Sequence, residues 1–306
     1  MKIIKLLCAF LLSITLIACS DKTTAISIEE TNTIEDYIKY DVLYSEVSDT
    51  IEPPIISSTY QYLYPKSNDN TLIDIVFKIT NISQETIKAT DLKGQFTIND
   101  EKINTITVFN ETDTKLCLDG DILANKTYII HMYGEVSKET DFNQDITFEL
   151  TANKQKSVLT YQLNELSLKQ TLTKKDKISS DDIVITIKDI ITENTIHPTY
   201  KATAYFYYKA DEGIIFKAIK VNIKNAGNKE ISTSSLVGIK AKIDNTKYNG
   251  YIIAEDEKQQ NILTSTTIAA NESRTAYFVV EIPEEDKNKD IDFTNYFNKQ
   301  FYNIKK

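Results

Sequence analysis

The sequence contains itself twice. Thr50-Ile51-Glu52-Pro53 returns as Thr195-Ile196-His197-Pro198, Tyr60 and Tyr62 as Tyr205 and Tyr207, and Asn153-Lys154-Gln155 as Asn298-Lys299-Gln300, each 145 residues later. Asp145-Ile146-x-Phe148 and Asp290-Ile291-x-Phe293 keep the same spacing. Between these anchors the spacing drifts by one residue: Ile79-x-Asn81 matches Ile223-x-Asn225 at 144, and Ala124-Asn125 matches Ala270-Asn271 at 146. Shared order and near-constant spacing define a tandem duplication, so a fold that suits one copy must suit the other. The copies span 39–166 and 181–306, each the size of one ordinary domain. Residues 167–180, polar and carrying Lys169, Lys174, Lys175 and Lys177, read as a linker, and residues 19–38, rich in Thr, Ser and Glu, as a flexible tether.

Within each copy the dominant period is two. Ile73, Ile75, Phe77 and Ile79 alternate with Asp74, Val76, Lys78 and Thr80, and Ile219, Val221 and Ile223 alternate with Lys220, Asn222 and Lys224. Ala276, Phe278, Val280 and Ile282 repeat the pattern up to Pro283, as do Ile130, Met132, Gly134 and Val136 in the first copy. Such alternation is that of strands with one buried face. Seven or eight such runs per copy, rich in Ile, Val, Thr, Tyr and Phe and separated by Asn/Asp/Lys turns, predict an all-β chain of two tandem antiparallel sandwiches. No Cys–Trp–Cys signature is present, and Trp is absent altogether.

The second copy reads Gly213-x-x-Phe216-x-x-Ile219-x-Val221-x-Ile223-x-Asn225-x-x-x-Lys229-x-Ile231-Ser232, then Tyr248, Ile268-Ala269-Ala270-Asn271-Glu272-Ser273 and Ala276-x-Phe278-x-Val280-Glu281-Ile282-Pro283. This resembles the immunoglobulin-like lipoprotein domains of low-GC Gram-positive bacteria, related to secreted mycobacterial immunoprotective antigens. Those domains usually carry Pro-Gly where this chain has Ala270-Asn271, and the first copy has Ser137 where Pro283 would align. The resemblance implies an immunoglobulin-like sandwich for each copy and conveys no activity.

The N-terminus supplies an address. Lys2 and Lys5 precede an apolar run, Leu6 to Ile17, too short for a membrane span of ~20 residues and typical of an export signal. Leu16-Ile17-Ala18-Cys19 resembles the bacterial lipobox. That resemblance implies diacylglyceryl transfer to the Cys19 sulfur, cleavage after residue 18, and a lipid-anchored protein on the extracytoplasmic face of the cell membrane. Loss of residues 1–18 takes two lysines and moves the formal charge from −9 to −11. Such an acidic surface disfavours nucleic acid as a partner.

The chemistry within the copies is sparse. Seven glycines and a single arginine, Arg274, leave little for a phosphate cradle, so no nucleotide is expected. Of three cysteines, Cys8 leaves with the signal, Cys19 takes lipid, and Cys117, between Leu116 and Leu118, is expected to pack. His131 and His197 are the only histidines; neither recurs in the other copy, where Tyr277 and Glu52 stand, and both are expected at the surface. Asn68-Asp69-Asn70 and Asp119-Gly120-Asp121 read as turns rather than calcium loops. No catalytic residue, metal site or cofactor is therefore expected.

Tyr60, Tyr62 and Tyr64 share one face of an expected strand, as do Tyr205 and Tyr207. These tyrosines either cover a sheet or the interface between copies, the reading the pattern favours, or offer a binding surface for a protein or glycan. The expected function is a non-catalytic interaction module in adhesion, envelope assembly or host contact. The alternatives are an envelope hydrolase or enzyme inhibitor whose acidic site forms only in three dimensions, and a structural spacer.

Overall fold

A computed structural model describes residues 23–56, 61–168, 170–180, 182–244 and 246–305. The export signal, Cys19 and Tyr60 lie outside the described residues. Among those described there is no α-helix, only strands and two short 3-10 turns, and no helix long and apolar enough to cross a membrane.

The first copy builds β1 (Thr23–Ala25), β2 (Asn32–Ile34), β3 (Ile38–Ser48), β4 (Asn70–Asn81), β5 (Lys93–Ile98), β6 (Glu101–Asn104), β7 (Ile106–Thr112), β8 (Lys115–Cys117), β9 (Thr127–Ser137), β10 (Ile146–Ala152) and β11 (Gln155–Tyr161). Its two sheets run β1-β11-β10-β5-β6 and β2-β3-β4-β9-β7-β8. The second copy builds β12 (Thr171–Leu172), β13 (Lys177–Ser179), β14 (Ile183–Glu193), β15 (Ile214–Asn225), β16 (Gly238–Ile243), β17 (Thr246–Glu255), β18 (Ser273–Pro283), β19 (Asp292–Phe297) and β20 (Gln300–Ile304). They follow the order β12-β20-β19-β16-β17-β18-β15-β14-β13. Both copies are β-sandwiches, as the period-two pattern predicts, and of the immunoglobulin-like kind that the family resemblance implies.

The alternating residues fill the two cores. Ile73, Ile75, Phe77 and Ile79 meet Ile130, Met132, Phe96 and Phe148 in the first; Ile219, Val221 and Ile223 meet Phe278, Val280 and Phe293 in the second. Each such side chain contributes about 1.5–3 kcal/mol on burial. Even the irregularities repeat: a β-bulge between Val42 and Tyr44 of β3 returns between Ile187 and Asp189 of β14.

Two expectations need correction. Short stretches of the tether and of the linker are strands of the sandwiches. β1 and β12 add in parallel to β11 and β20, while β2 and β13 pair with the start of the next strand. Ile26, Ile34 and Ile178 are buried. These additions cap sheet edges whose backbone groups would otherwise stand open.

The copies also pack on one another. The outer face of β3, β4 and β9 carries Leu43, Val76 and Ile129, which cluster with Ile55 and with Tyr296 and Phe301 from β19 and β20. The Tyr44 and Phe301 rings meet edge to face at 5.3 Å. Around this apolar centre Tyr296 donates to Asp113 at 2.6 Å, Lys240 pairs with Glu52 and Lys247 with Glu46, both at 2.8 Å, and the Lys299 amine bonds the Thr127 carbonyl. Desolvation, then the hydrogen bond to Asp113, drives the Tyr296 phenol far above its ordinary range, and burial holds the Lys299 ammonium below its own.

Candidate interaction surface

The tyrosine segments are not sandwich strands. Each lies in a long loop, following β3 or β14, that folds back over the outer face of its own sheet. In the first copy an isolated bridge joins Ile51 to Leu63, and Gln61 accepts the Leu116 N–H at 2.9 Å. Beneath lie Ile51, Leu72, Val108, Leu116 and Tyr133. In the second, Thr195–Ile196 pairs with Tyr208–Lys209, over Phe216, Ala218, Ile253, Tyr277 and Val279. The alternation of Tyr and non-Tyr mimics a strand, yet only a two-residue ladder or a single bridge forms.

The second loop raises an aromatic cluster. The Tyr205 and Tyr207 rings lie 6.0 Å apart, and His197 sits 5.9 Å and 5.4 Å from them, with the Tyr205 hydroxyl 3.4 Å from its Nδ1. Tyr205 is half-buried, whereas Tyr207, Tyr200 and Phe206 are 51%, 61% and 70% exposed. Tyr62 and Tyr64 of the first copy stack at 5.9 Å, with Tyr64 exposed and Tyr62 half-buried. Of the described tyrosines, Tyr62 and Tyr205 thus serve partly as cover, while Tyr64 and Tyr207 face solvent.

The exposed rings rest on a fixed support. Glu255, buried at the end of β17, accepts the Thr199 N–H at 2.8 Å and its hydroxyl at 2.7 Å. Asn261 accepts the Phe206 N–H at 2.9 Å and donates to Asp256 at 2.6 Å. Although desolvation acts against it, hydrogen bonds from Asn261 and from the backbone of Gln260 and Asn261 hold the Asp256 carboxyl below its ordinary value. Backbone bonds from Tyr200 to Gln259 and from Ile262 to Phe206 complete the seat. Burial, then the Glu255 carboxylate, pushes the Tyr277 phenol beneath the loop up to about 12. Tyr200, Phe206, His197 and Glu255 are absent from the alternation-based set. The one sequence sign of them is Glu255 itself, an acid closing the apolar run Tyr251-Ile252-Ile253-Ala254.

His131 is not at the surface. It is 4% exposed, and its Nδ1 lies 2.7 Å from Oδ2 of Asp74, itself 1% exposed. The face of β9 that carries it is covered by the 50–55 segment and by the second copy. Cys117 is half-buried against the first core, with Sγ 3.2 Å from the Asp119 carbonyl. Among the described residues no group of three or more His, Cys, Asp or Glu side chains is placed to hold a metal ion.

Residues 173–304, essentially the second copy, match a domain family described only as a domain of unknown function (DUF4352). Among solved structures, an uncharacterized β-sandwich protein from Clostridium difficile 630 is 26% identical over 44% of this chain and 92% of its own, with a TM-score of 0.41. A conserved hypothetical protein from Bacillus anthracis is 12% identical over 43% and 93%, with a TM-score of 0.29. No curated protein matches the chain.

Proposed function

We propose that this chain is a lipid-anchored, extracytoplasmic envelope protein that acts as a non-catalytic interaction module, with the aromatic loop of the second copy as its contact surface. The address rests on Leu16-Ile17-Ala18-Cys19 and the short apolar run before it. The contact surface rests on one observation: Tyr200, Phe206 and Tyr207 stand exposed together on a loop held from below by Glu255 and Asn261. Clustered exposed aromatics on a rigid seat offer large contact area at low entropic cost, for a protein or a sugar face alike. Phe206→Ala combined with Tyr207→Ala is expected to abolish retention on purified cell-wall glycan or on immobilised envelope protein, while stability changes by no more than about 0.5 kcal/mol. Equal retention by the double variant on every surface that holds the parent would overturn the assignment. For the anchor, Cys19→Ala moves the protein from the membrane fraction to the soluble one.

A further inference from the structure

The seam between the copies holds a half-open cavity of about 370 Å³ that shares Ser45, Glu46, Lys242 and Lys247 with a wider groove of about 860 Å³. The first copy makes its wall acidic, through Glu46, Glu52 and Asp74; the second makes the facing wall basic, through Lys240, Lys242 and Lys247. Asp292, on the second wall, is matched by its own Lys305 at 3.5 Å. Glu46 and Glu52 are taken up by Lys247 and Lys240. Asp74 and Lys242 are left facing the same space, and no ion pair joins Lys242 to another described residue.

Asp74 is held with care. Its backbone carbonyl accepts the Ser45 hydroxyl at 2.8 Å, that oxygen lies 2.8 Å from the Tyr161 hydroxyl, and its Oδ2 receives His131 Nδ1 at 2.7 Å. Oδ1 of Asp74 and Nε2 of His131 have no partner. Buried polar atoms are almost always satisfied, and when the imidazole is neutral the buried carboxylate beside it lacks a positive charge. With Nδ1–H given to the carboxylate, Nε2 presents a lone pair, so the pair offers two acceptors and one negative charge. The fold does not require this arrangement, because Ala218 and Tyr277 stand at the corresponding positions of the second copy.

We infer that the cavity binds a small zwitterion, an α-amino acid or short peptide, with its ammonium on the Asp74–His131 pair and its carboxylate toward Lys242. An ammonium carries three donors and the missing charge; Lys242 supplies the opposite one; Phe301 and Ala241 give an apolar wall for the side chain. The volume is that of a small-molecule site. This site is separate from the aromatic loop and does not depend on it.

The two histidines make the test specific, since His131 reports on the cavity and His197 on the aromatic loop. In the full chain in detergent, with histidine labelled by ¹⁵N, titration with L-alanyl-L-alanine is expected to move the His131 imidazole signals saturably and leave those of His197 in place. N-acetylation or C-terminal amidation of the dipeptide should each weaken binding about tenfold or more, the scale of one charge-assisted hydrogen bond. Asp74→Asn should erase the preference for the free amine. Lys242→Ala, at an exposed position, should erase the preference for the free acid even if the Asp74 variant does not fold. His131 signals that no form of the dipeptide moves, or equal affinity for free and capped forms, would overturn the inference, while movement of His197 alone would bear on the aromatic loop instead.

Discussion

Asn81 and Asn225 are both fully buried, and each closes the same corner of its copy. Asn81 donates to the carbonyls of Glu85 and Ile122, both at 2.8 Å, and accepts the Ser83 N–H at 2.9 Å. Asn225 donates to Lys229 and Ile268 at 2.7 and 2.9 Å and accepts the Gly227 N–H at 3.0 Å. The turns that meet these corners hold Asn125 and Asn271 at φ of 59° and 65°, a left-handed conformation that Asn and Gly tolerate best. The repeated Ile-x-Asn and Ala-Asn signatures are therefore two sides of one hydrogen-bonded corner, which explains why they survive where most of the sequence has diverged. Asn225→Ala strands two carbonyls and an N–H and is expected to cost about 2–4 kcal/mol in urea unfolding. Asn225→Asp should not rescue it, because the two donors are lost. The buried phenols set a different limit. Desolvation raises Tyr44, Tyr161 and Tyr296 well above the ordinary phenol value and Tyr277 to about 12. A raised folded-state pKa gives stability that is complete below the unfolded value of about 10 and lost as pH rises through the folded one. Stability should thus hold to about pH 10 and fall steeply above it, with phenolate absorbance of these rings appearing only as the chain unfolds.

At the scale of elements, the copies differ in how they join their two sheets. In the first, the chain breaks at Thr105 between β6 and β7; in the second, β17 runs unbroken, pairing with β16 through Asn249 and with β18 from Gly250 onward. The crossing point is a small-against-large pair whose members have changed places. Gly94 faces Thr105, whose Oγ1 would lie 2.6 Å from a Cβ at position 94, whereas Ile239 faces Gly250, where a Cβ would meet Ile239 at 2.5 Å and the Val279 carbonyl at 2.6 Å. Gly250→Thr, which imposes the first copy's residue on the second's backbone, is expected to cost at least about 1–3 kcal/mol in thermal or urea unfolding. No period-two pattern announces this exchange. The same limit hid β1 and β12: two- and three-residue polar edge strands carry too few residues for alternation to register, so they read as tether and linker. The tyrosine segments failed in the opposite direction, since regular alternation over three to five residues is as compatible with a cover loop as with a strand, and only the ladder beneath decides.

For the whole molecule the seam matters most, and it was the least legible part. Alternation along β4 and β9 places Asp74, Val76 and His131 on the face away from the core, but one strand's sequence cannot tell whether that face meets water or a partner far along the chain. The answer lies in the mismatch between copies. Leu43, Val76 and Ile129 face the seam, while their counterparts Lys188, Lys220 and Thr275 are polar; Tyr296 and Phe301 have Thr151 and Lys156 as theirs. Each copy thus keeps one apolar outer face, of opposite kinds, so the packing that joins two copies offers no equivalent surface for a third. The two copies come close together at Gly238, where a Cβ would lie 1.9 Å from the Pro54 carbonyl oxygen of the first copy. Gly238→Val should consequently force the copies apart while leaving both sandwiches folded. Calorimetry is expected to resolve two unfolding transitions where the parent chain shows one, and small-angle scattering to report a larger radius of gyration. A single transition with an unchanged radius would mean that the loop carrying Pro54 yields instead and that the seam is held by Tyr296, Phe301 and the lysine pairs without it.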